Sequence, residues 1–473
     1  MLPQHVRDRL RAIVGEAHCL DRPEALVAYS YDATPMHQAL SDAVVMPKDT
    51  AEVQQVIKAA AEAGIPVVTR GAGSNLCAGT VPVGGGIVLV LNRMNRILEI
   101  DEQNLTITVQ PGVRTSDIHQ AVEARGLFYP PDPGSMVVST IGGNIALNSG
   151  GLRGLKYGTT KDYVLGLEAV LPNGEVIRTG GKLMKDVAGY DLTKLLVGSE
   201  GTLAVITEAI LKLIPKPAVQ RVMLATFANL TEAARTVSDI IASRIIPATL
   251  EFMDQGTLRV VEDFKRIGLP TDAAAMLLIG QDGDPETVDR DVERIAAICR
   301  QNRAVQVKVA TNAEEADEVM TARRSALAAL SRLRPTTILE DATVPRAAIT
   351  PMVEAIQRIA AAYNVHICTF GHAGDGNLHP TCMTDARNPD EIERVERAFE
   401  EIFAAAIELG GTITGEHGVG IVKAPYLEWK LGAAGVEVMK AIKRAFDPNN
   451  LLNPGKMFAR ESRNRVVVNH AQR

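Results

Sequence analysis

Aromatic residues are scarce, 4% of the 473-residue chain with one tryptophan, and leave little to stack on nucleic-acid bases. Basic charge is not in excess either. Lys and Arg total 50 against 56 Asp and Glu, a formal net charge of -6, which argues against a phosphate-binding basic face. No apolar run reaches the roughly 18 residues of a membrane-spanning helix. The first twenty residues are charged throughout and lack the apolar core of a secretory signal. The five cysteines (Cys19, Cys77, Cys299, Cys368, Cys382) are odd in number and form no CxxC pair. They read as reduced thiols in a cytoplasmic protein and rule out a cysteine-ligated iron–sulfur cluster on this chain. Walker A and dinucleotide fingerprints are missing, since no Gly-Lys-Ser/Thr closes the first glycine loop and its third glycine is absent.

What is present is a length that suits about three domains, or two large ones, at about 150 residues each. Residues 44–70 read strand, helix, strand, with Asp49 and Glu52 at the helix start and Gly64 at its end. Asn173-Gly174 marks a hairpin turn. The segment 214–217 (IPKP) reads as a linker, beyond which longer amphipathic helices appear at 231–243, 286–301 and 390–409.

Two groups of residues carry chemistry. Glycine and small residues concentrate at 70–79, 133–151 and 185–202. One such loop is often a plain turn, but three in one domain suggest an extended ligand with a pyrophosphate, cradled by backbone N–H groups. Four of the nine histidines (His366, His372, His379, His417) lie between 366 and 417, where even scattering would put about one. A lone histidine is more often a core residue bonded to loop carbonyls. Two on the loop GHAGDGNLHP, with Glu416-His417 in GTITGEHGVG, favour a divalent metal or acid–base catalysis. Of Glu416 and His417, one could be a ligand and the other a base. The spacing is not HExxH.

In order, the motifs TRGAGSNLCAG, PPDPGS, STIGGNIALNSGG, KDVAGYDLTKLLVGSEGTL, GHAGDGNLHP, TGEHGVG and LLNPGK resemble the FAD-linked oxidases of the vanillyl-alcohol oxidase superfamily. Within it they are similar to the group of the glycolate oxidase flavin subunit, D-lactate dehydrogenase and D-2-hydroxyglutarate dehydrogenase. The resemblance covers about 35 to 458. It implies an α+β fold. A PCMH-type FAD-binding domain of two subdomains would span 35–216, and an α+β FAD-linked oxidase C-terminal domain, capping the flavin, 217–458. A helical segment at 1–34 would precede them and a polar tail at 459–473 would follow.

Carried over by motif, Arg70, Gly71, Ala72, Gly73, Ser74, Asn75, Leu76 and Gly79 would hold the FAD pyrophosphate. Pro133, Gly134, Ser135, Thr140, Gly143, Asn144 and Ser149 would line the ribityl chain and flavin, with Gly150 and Gly151 letting backbone pass close. Glu200, Gly201 and Ile206 would face the adenine side, and Asn453 would reach the flavin. Relatives that tether FAD use a histidine in the first loop. Ser74 stands there instead, so binding is expected to be non-covalent. The resemblance makes His372, His379 and Glu416 ligands of a divalent metal (zinc, manganese or iron), His417 the base, and Asn377 a substrate contact. Arg323, with Arg324 beside it, would bind the substrate carboxylate.

The implied reaction is oxidation of a small 2-hydroxy acid to the 2-oxo acid. A metal chelated by hydroxyl and carboxylate oxygens lowers the hydroxyl pKa, a histidine takes the proton, and hydride passes to flavin. Glycolate and D-lactate lead, with D-2-hydroxyglutarate as the alternative. Electrons would leave to a separate iron–sulfur subunit, an electron-transfer flavoprotein or a quinone. The protein would be cytoplasmic, with contact at the inner membrane face left open, as is oligomeric state. Outside the family, a metal-dependent hydrolase could use the same His/His/Glu set, but would leave the glycine loops without a role.

Overall fold

The computed structural model describes residues 2–458, so the tail at 459–473 lies outside the described residues. The chain forms two compact units. One takes the residues up to Ser149, then Thr159–Lys216, and returns from Glu416 on; the other comprises Gly150–Gly158 and Pro217–Gly415.

The first unit holds two larger sheets and a two-stranded pair, Leu127–Phe128 with Ile214–Pro215, so the segment read as a linker begins as a strand. In one of the larger sheets, Cys19–Leu20, Ala43–Val45, Ile87–Val90 and Val67–Arg70 lie in that spatial order. The last three run parallel, and Cys19–Leu20 is antiparallel to Ala43–Val45. Parallel strands need a crossover, and helix Thr50–Ala63 supplies it. Asp49 caps that helix by accepting from the Glu52 N–H at 2.9 Å, and Gly64 ends it in the left-handed region. Val53, Val56 and Ile57 bury against Val45, Val67 and Ile87, together with Leu2, Val6, Leu10 and Val14 of the N-terminal segment. Val44, Val68 and Val88 point to the opposite face, into a smaller cluster with Leu26. Burial on both faces explains the unbroken apolar runs. The C-terminal return adds Leu452 in parallel beside Val67.

The second sheet is antiparallel, in the order Ile97–Asp101, Thr106–Val109, Val205–Lys212, Val164–Val170, Val176–Gly180. Asn173-Gly174 turns its last hairpin.

The second unit is built on an antiparallel sheet. Its order is Gln306–Val309, Val219–Phe227, Ala275–Gly283, Thr249–Asp254, Ile367–His372, Asn377–Thr384, Thr336–Leu339, with Ala342–Thr343 also paired to Asn377–Thr384. Helix Ala313–Arg324 lays Val319 and Met320 on the sheet face carrying Val222 and Leu278, and Leu152 of the short 150–158 segment joins them. Lys156 and Tyr157 tie that segment down through Asp282, the tyrosine hydroxyl donating at 2.9 Å. Helices Leu230–Ala242, Pro285–Gln301 and Pro389–Glu408 run as the amphipathic pattern predicts. All five cysteines are buried and unbonded. Among the described residues, no helix is long and apolar enough to cross a membrane.

Candidate active site

In the first unit the loop 70–79 follows directly from strand Val67–Arg70. The Arg70 guanidinium is buried beneath it and donates to the Tyr31 carbonyl at 2.7 Å and the Thr80 hydroxyl at 3.1 Å. Burial pulls its pKa down, against the attraction of Asp32. Arg70 thus braces the loop from below. The Asn75 side chain folds it over, accepting from the Gly79 N–H at 2.8 Å and donating to Thr80 at 3.2 Å.

Gly71 approaches Thr140 so closely that a Cβ there would sit 2.2 Å from its hydroxyl oxygen. Asn453 donates to the Gly79 and Glu200 carbonyls at 3.0 and 2.7 Å. Gly201 lies between Thr69 and Asn453. Around this loop the Thr69 and Thr140 hydroxyls and the Asn453 carbonyl oxygen are buried without a hydrogen bond. Buried polar atoms are usually paired, and these three suit an extended polar ligand.

Other predicted flavin contacts are placed variously. Pro133, Gly134 and Ser135 lie on the loop before helix Ile141–Leu147, which holds Gly143 and Asn144. The Asn144 amide is spent on the Thr115 hydroxyl at 2.6 Å. The Ser149 carbonyl accepts from Thr160. Ile206 is a buried strand residue. Gly150 and Gly151 follow Ser149 directly and open the segment Gly150–Gly158, which packs in the second unit.

Glu200 serves the return. Its fully buried carboxylate accepts from the Val419 and Gly420 N–H groups at 2.6 and 2.7 Å. Burial raises its pKa; those two bonds, Lys456 and Lys423 oppose the rise in part. Gly420, at φ +50°, passes so near Cys77 that a Cβ would come within 1.9 Å of its carbonyl oxygen. Glu416 and His417 are therefore presented by a loop fastened to the first unit just beyond them, and each offers a ligand atom within 4.8 Å of the other.

In the second unit a set of charged groups is buried on one face of the sheet. Strand Thr249–Asp254 runs beside Ile367–His372, with Phe252 opposite Gly371 and Met253 opposite Phe370. One step further, this register sets Glu251 across from His372. Glu251 Oε1 lies 2.7 Å from His372 Nδ1, and Oε2 lies 2.5 Å from Arg323 Nη2. Burial would raise the Glu251 pKa, but Arg323 and then His372 outweigh it and hold the carboxyl below its usual range. The Arg323 guanidinium stacks over Phe370 at 4.7 Å, while Arg324 is only half-buried.

His379 enters from the next strand, its ring 5.0 Å from that of His372 and perpendicular to it. Its Nδ1 faces Asp341 Oδ1 at 3.2 Å. Asp341 Oδ2 accepts from the Thr414 hydroxyl at 2.7 Å and the Gly415 N–H at 3.0 Å. Glu416 follows Gly415 by one peptide bond. Asn377 is buried and accepts from the Thr343 hydroxyl at 2.7 Å. The turn joining the two histidine strands needs Gly376, whose φ is +88° and whose Cβ would lie 2.1 Å from the Val344 carbonyl.

The comparisons with known proteins decide the family. Residues 216–457 match the family of FAD linked oxidases, C-terminal domain, and residues 41–180 match the FAD binding domain family. The chain belongs to the FAD-linked oxidases. It is 63% identical to the glycolate oxidase subunit GlcD of Bacillus subtilis (strain 168), covering 99% of this chain and 100% of that one. It is 36% identical to a D-lactate dehydrogenase of Anaerostipes hadrus, over 89% and 90% of the two chains. The fold is also that of p-cresol methylhydroxylase, at a TM-score of 0.80 and 19% identity over 96% of each chain. An FAD-linked oxidase accounts for the glycine loops that the hydrolase reading leaves idle.

Within this FAD-linked oxidase, residue-by-residue reading missed Glu251 and Asp341, the carboxylates behind the two histidines. The signal was present. Glu251 interrupts the apolar strand TLEFMD, and Asp341 follows the strand TTIL.

Proposed function

We propose that this FAD-linked oxidase oxidises a small 2-hydroxy acid, glycolate first and D-lactate next, to the 2-oxo acid, and passes the electrons to a separate acceptor. The full-length likeness to a glycolate oxidase subunit supports the substrate class. The observation that carries the chemistry is the pair of buried imidazoles whose Nδ1 atoms each face a carboxylate, Glu251 at 2.7 Å and Asp341 at 3.2 Å. Histidines oriented in this way present Nε2 to a metal.

In this reading the 70–79 loop, Thr140, Gly201 and Asn453 would hold FAD without a covalent bond. His372, His379 and Glu416 would hold a divalent metal. When bound, FAD would supply the hydride acceptor, and the metal the charge that eases loss of the hydroxyl proton. His417 would take that proton as general base. Arg323 would engage the carboxylate by a paired hydrogen bond and, with Asn377, orient the substrate. The reacting carbon would give up a hydride and its oxygen a proton. Residues 35–216 would serve as the flavin domain and 217–458 as the substrate domain. With no cysteine cluster in the sequence, reoxidation falls to an iron–sulfur subunit, an electron-transfer flavoprotein or a quinone.

The test is the visible absorption of the purified protein before and after anaerobic addition of glycolate, D-lactate, L-lactate and D-2-hydroxyglutarate in turn. Bleaching of the flavin band by glycolate is the expected result. Bleaching only by D-2-hydroxyglutarate would move the substrate within the family, and a flavin that none of the four reduces would overturn the proposal.

A further inference from the structure

We propose that Glu251 is a positioning residue shared by two functional groups, setting His372 as a metal ligand and Arg323 as the clamp for the substrate carboxylate. The inference rests on the function proposed above. Three elements distant in sequence meet at this side chain: its own strand Thr249–Asp254, the end of helix Ala313–Arg324, and the end of strand Ile367–His372. Each carboxylate oxygen has its own partner, His372 Nδ1 at 2.7 Å and Arg323 Nη2 at 2.5 Å.

The two contacts do different things. An acceptor at Nδ1 makes that nitrogen the N–H donor, fixes the ring plane and leaves Nε2 as the ligand atom. The ion pair on Nη2, with Phe370 under the guanidinium at 4.7 Å, fixes the plane of the fork. The Arg323 Nε has no hydrogen bond, so donor capacity remains for a carboxylate. A buried ion pair is a poor source of stability, since apolar residues of similar volume often serve as well. Leu278 stands opposite Glu251 on the neighbouring strand, so an apolar side chain would find company there. The glutamate is explained by what it aligns. Because one rigid carboxylate holds both groups, a disturbance of either should be felt at the other.

The experiment uses the FAD-loaded full-length protein, stripped with a chelator and titrated with Mn2+ alone, alongside steady-state kinetics with glycolate. Glu251→Gln should weaken Mn2+ binding about 10- to 100-fold and raise KM for glycolate about tenfold, with FAD content unchanged. Glu251→Asp, which keeps the charge, should recover part of both losses. A folded Glu251→Gln protein with wild-type Mn2+ affinity and KM would overturn the inference and leave the proposed function standing. A wild-type protein that glycolate reduces but that binds no Mn2+ would overturn the inference and the metal assignment together. Should Glu251→Gln not fold, Arg323→Lys poses the question from the other side. Mn2+ affinity should then fall about fivefold although Arg323 is no ligand, and an unchanged affinity would overturn the coupling.

Discussion

Two groups of buried charge, one in each unit, are held differently. In the first unit Glu200, Lys456 and Lys443 hold backbone. Glu200 accepts from Val419 and Gly420, Lys456 donates to the Val81 carbonyl at 2.6 Å, and Lys443 reaches the Thr202 and Leu452 carbonyls at 2.7 and 2.9 Å. In the second, Glu251 faces Arg323 and His372 and Asp341 faces His379, while Asp254 holds the Thr257 and Thr369 N–H groups as Glu200 holds its own pair. The pKa directions follow. Burial wins at Glu200 and Lys456, whereas at Glu251 the partners win. One unit uses charge to fold loops into a cradle of N–H groups, as a long cofactor requires. The other stores charge where the proposed function would have bonds to a small substrate made and broken.

The largest effect is expected at His417, the base of the proposed function. His417→Ala should lower the rate of flavin reduction by glycolate about 1000-fold while the FAD-to-protein absorbance ratio stays at the wild-type value. Stopped-flow reduction measures the first and the static spectrum the second. Unchanged reduction would remove His417 as the base.

Gly71→Val tests the cradle alone. Its Cβ would collide with the Thr140 hydroxyl, 2.2 Å away, so FAD affinity should drop about 100-fold, roughly 3 kcal/mol. Equilibrium dialysis of FAD measures this. Mn2+ affinity should hardly change, and parallel loss of both would deny the division of labour.

Lys456 tests the cost of charge that faces backbone. Burial lowers its pKa from 10.5 to about 8, against the pull of Asp32, Cys77 and Glu200. Between those values the unfolded chain binds more protons than the folded one, so stability rises with pH from about 8 toward 10.5. The full span is worth roughly 3 kcal/mol. Lys456→Met should flatten that rise in a denaturant titration repeated across this pH window, and a rise of the same size would clear Lys456.

The smallest effect is expected at Asp341, which in the proposed reading orients His379. Asp341→Asn should weaken Mn2+ binding about tenfold, or about 1.4 kcal/mol, with FAD content unchanged. Wild-type affinity would free His379 from its carboxylate.

Much of the local structure was legible. Asp49 with Glu52 and the ending at Gly64 delimit one helix as read, and Asn173-Gly174 turns one hairpin as read. These features depend on residues within a few positions of one another. The two classes of chemistry were legible too, because glycine loops and clustered histidines are patterns of composition. The carboxylates behind the histidines were not. Glu251 and His372 are 121 positions apart, and a sheet register pairs them, a quantity no local window contains.

Motifs in order along the chain were enough for the family and its FAD-binding domain. Only the tertiary structure decided which groups each side chain is aligned by. Strand pairing joins Glu251 to His372. Close approach of Gly420 to Cys77 fastens the loop after His417. Burial sets the sign of the pKa shifts at Glu200, Lys456 and Glu251. The physical reason is the same in each case. Electrostatic and steric energies depend on distances in space, and those distances exist only once the chain has folded.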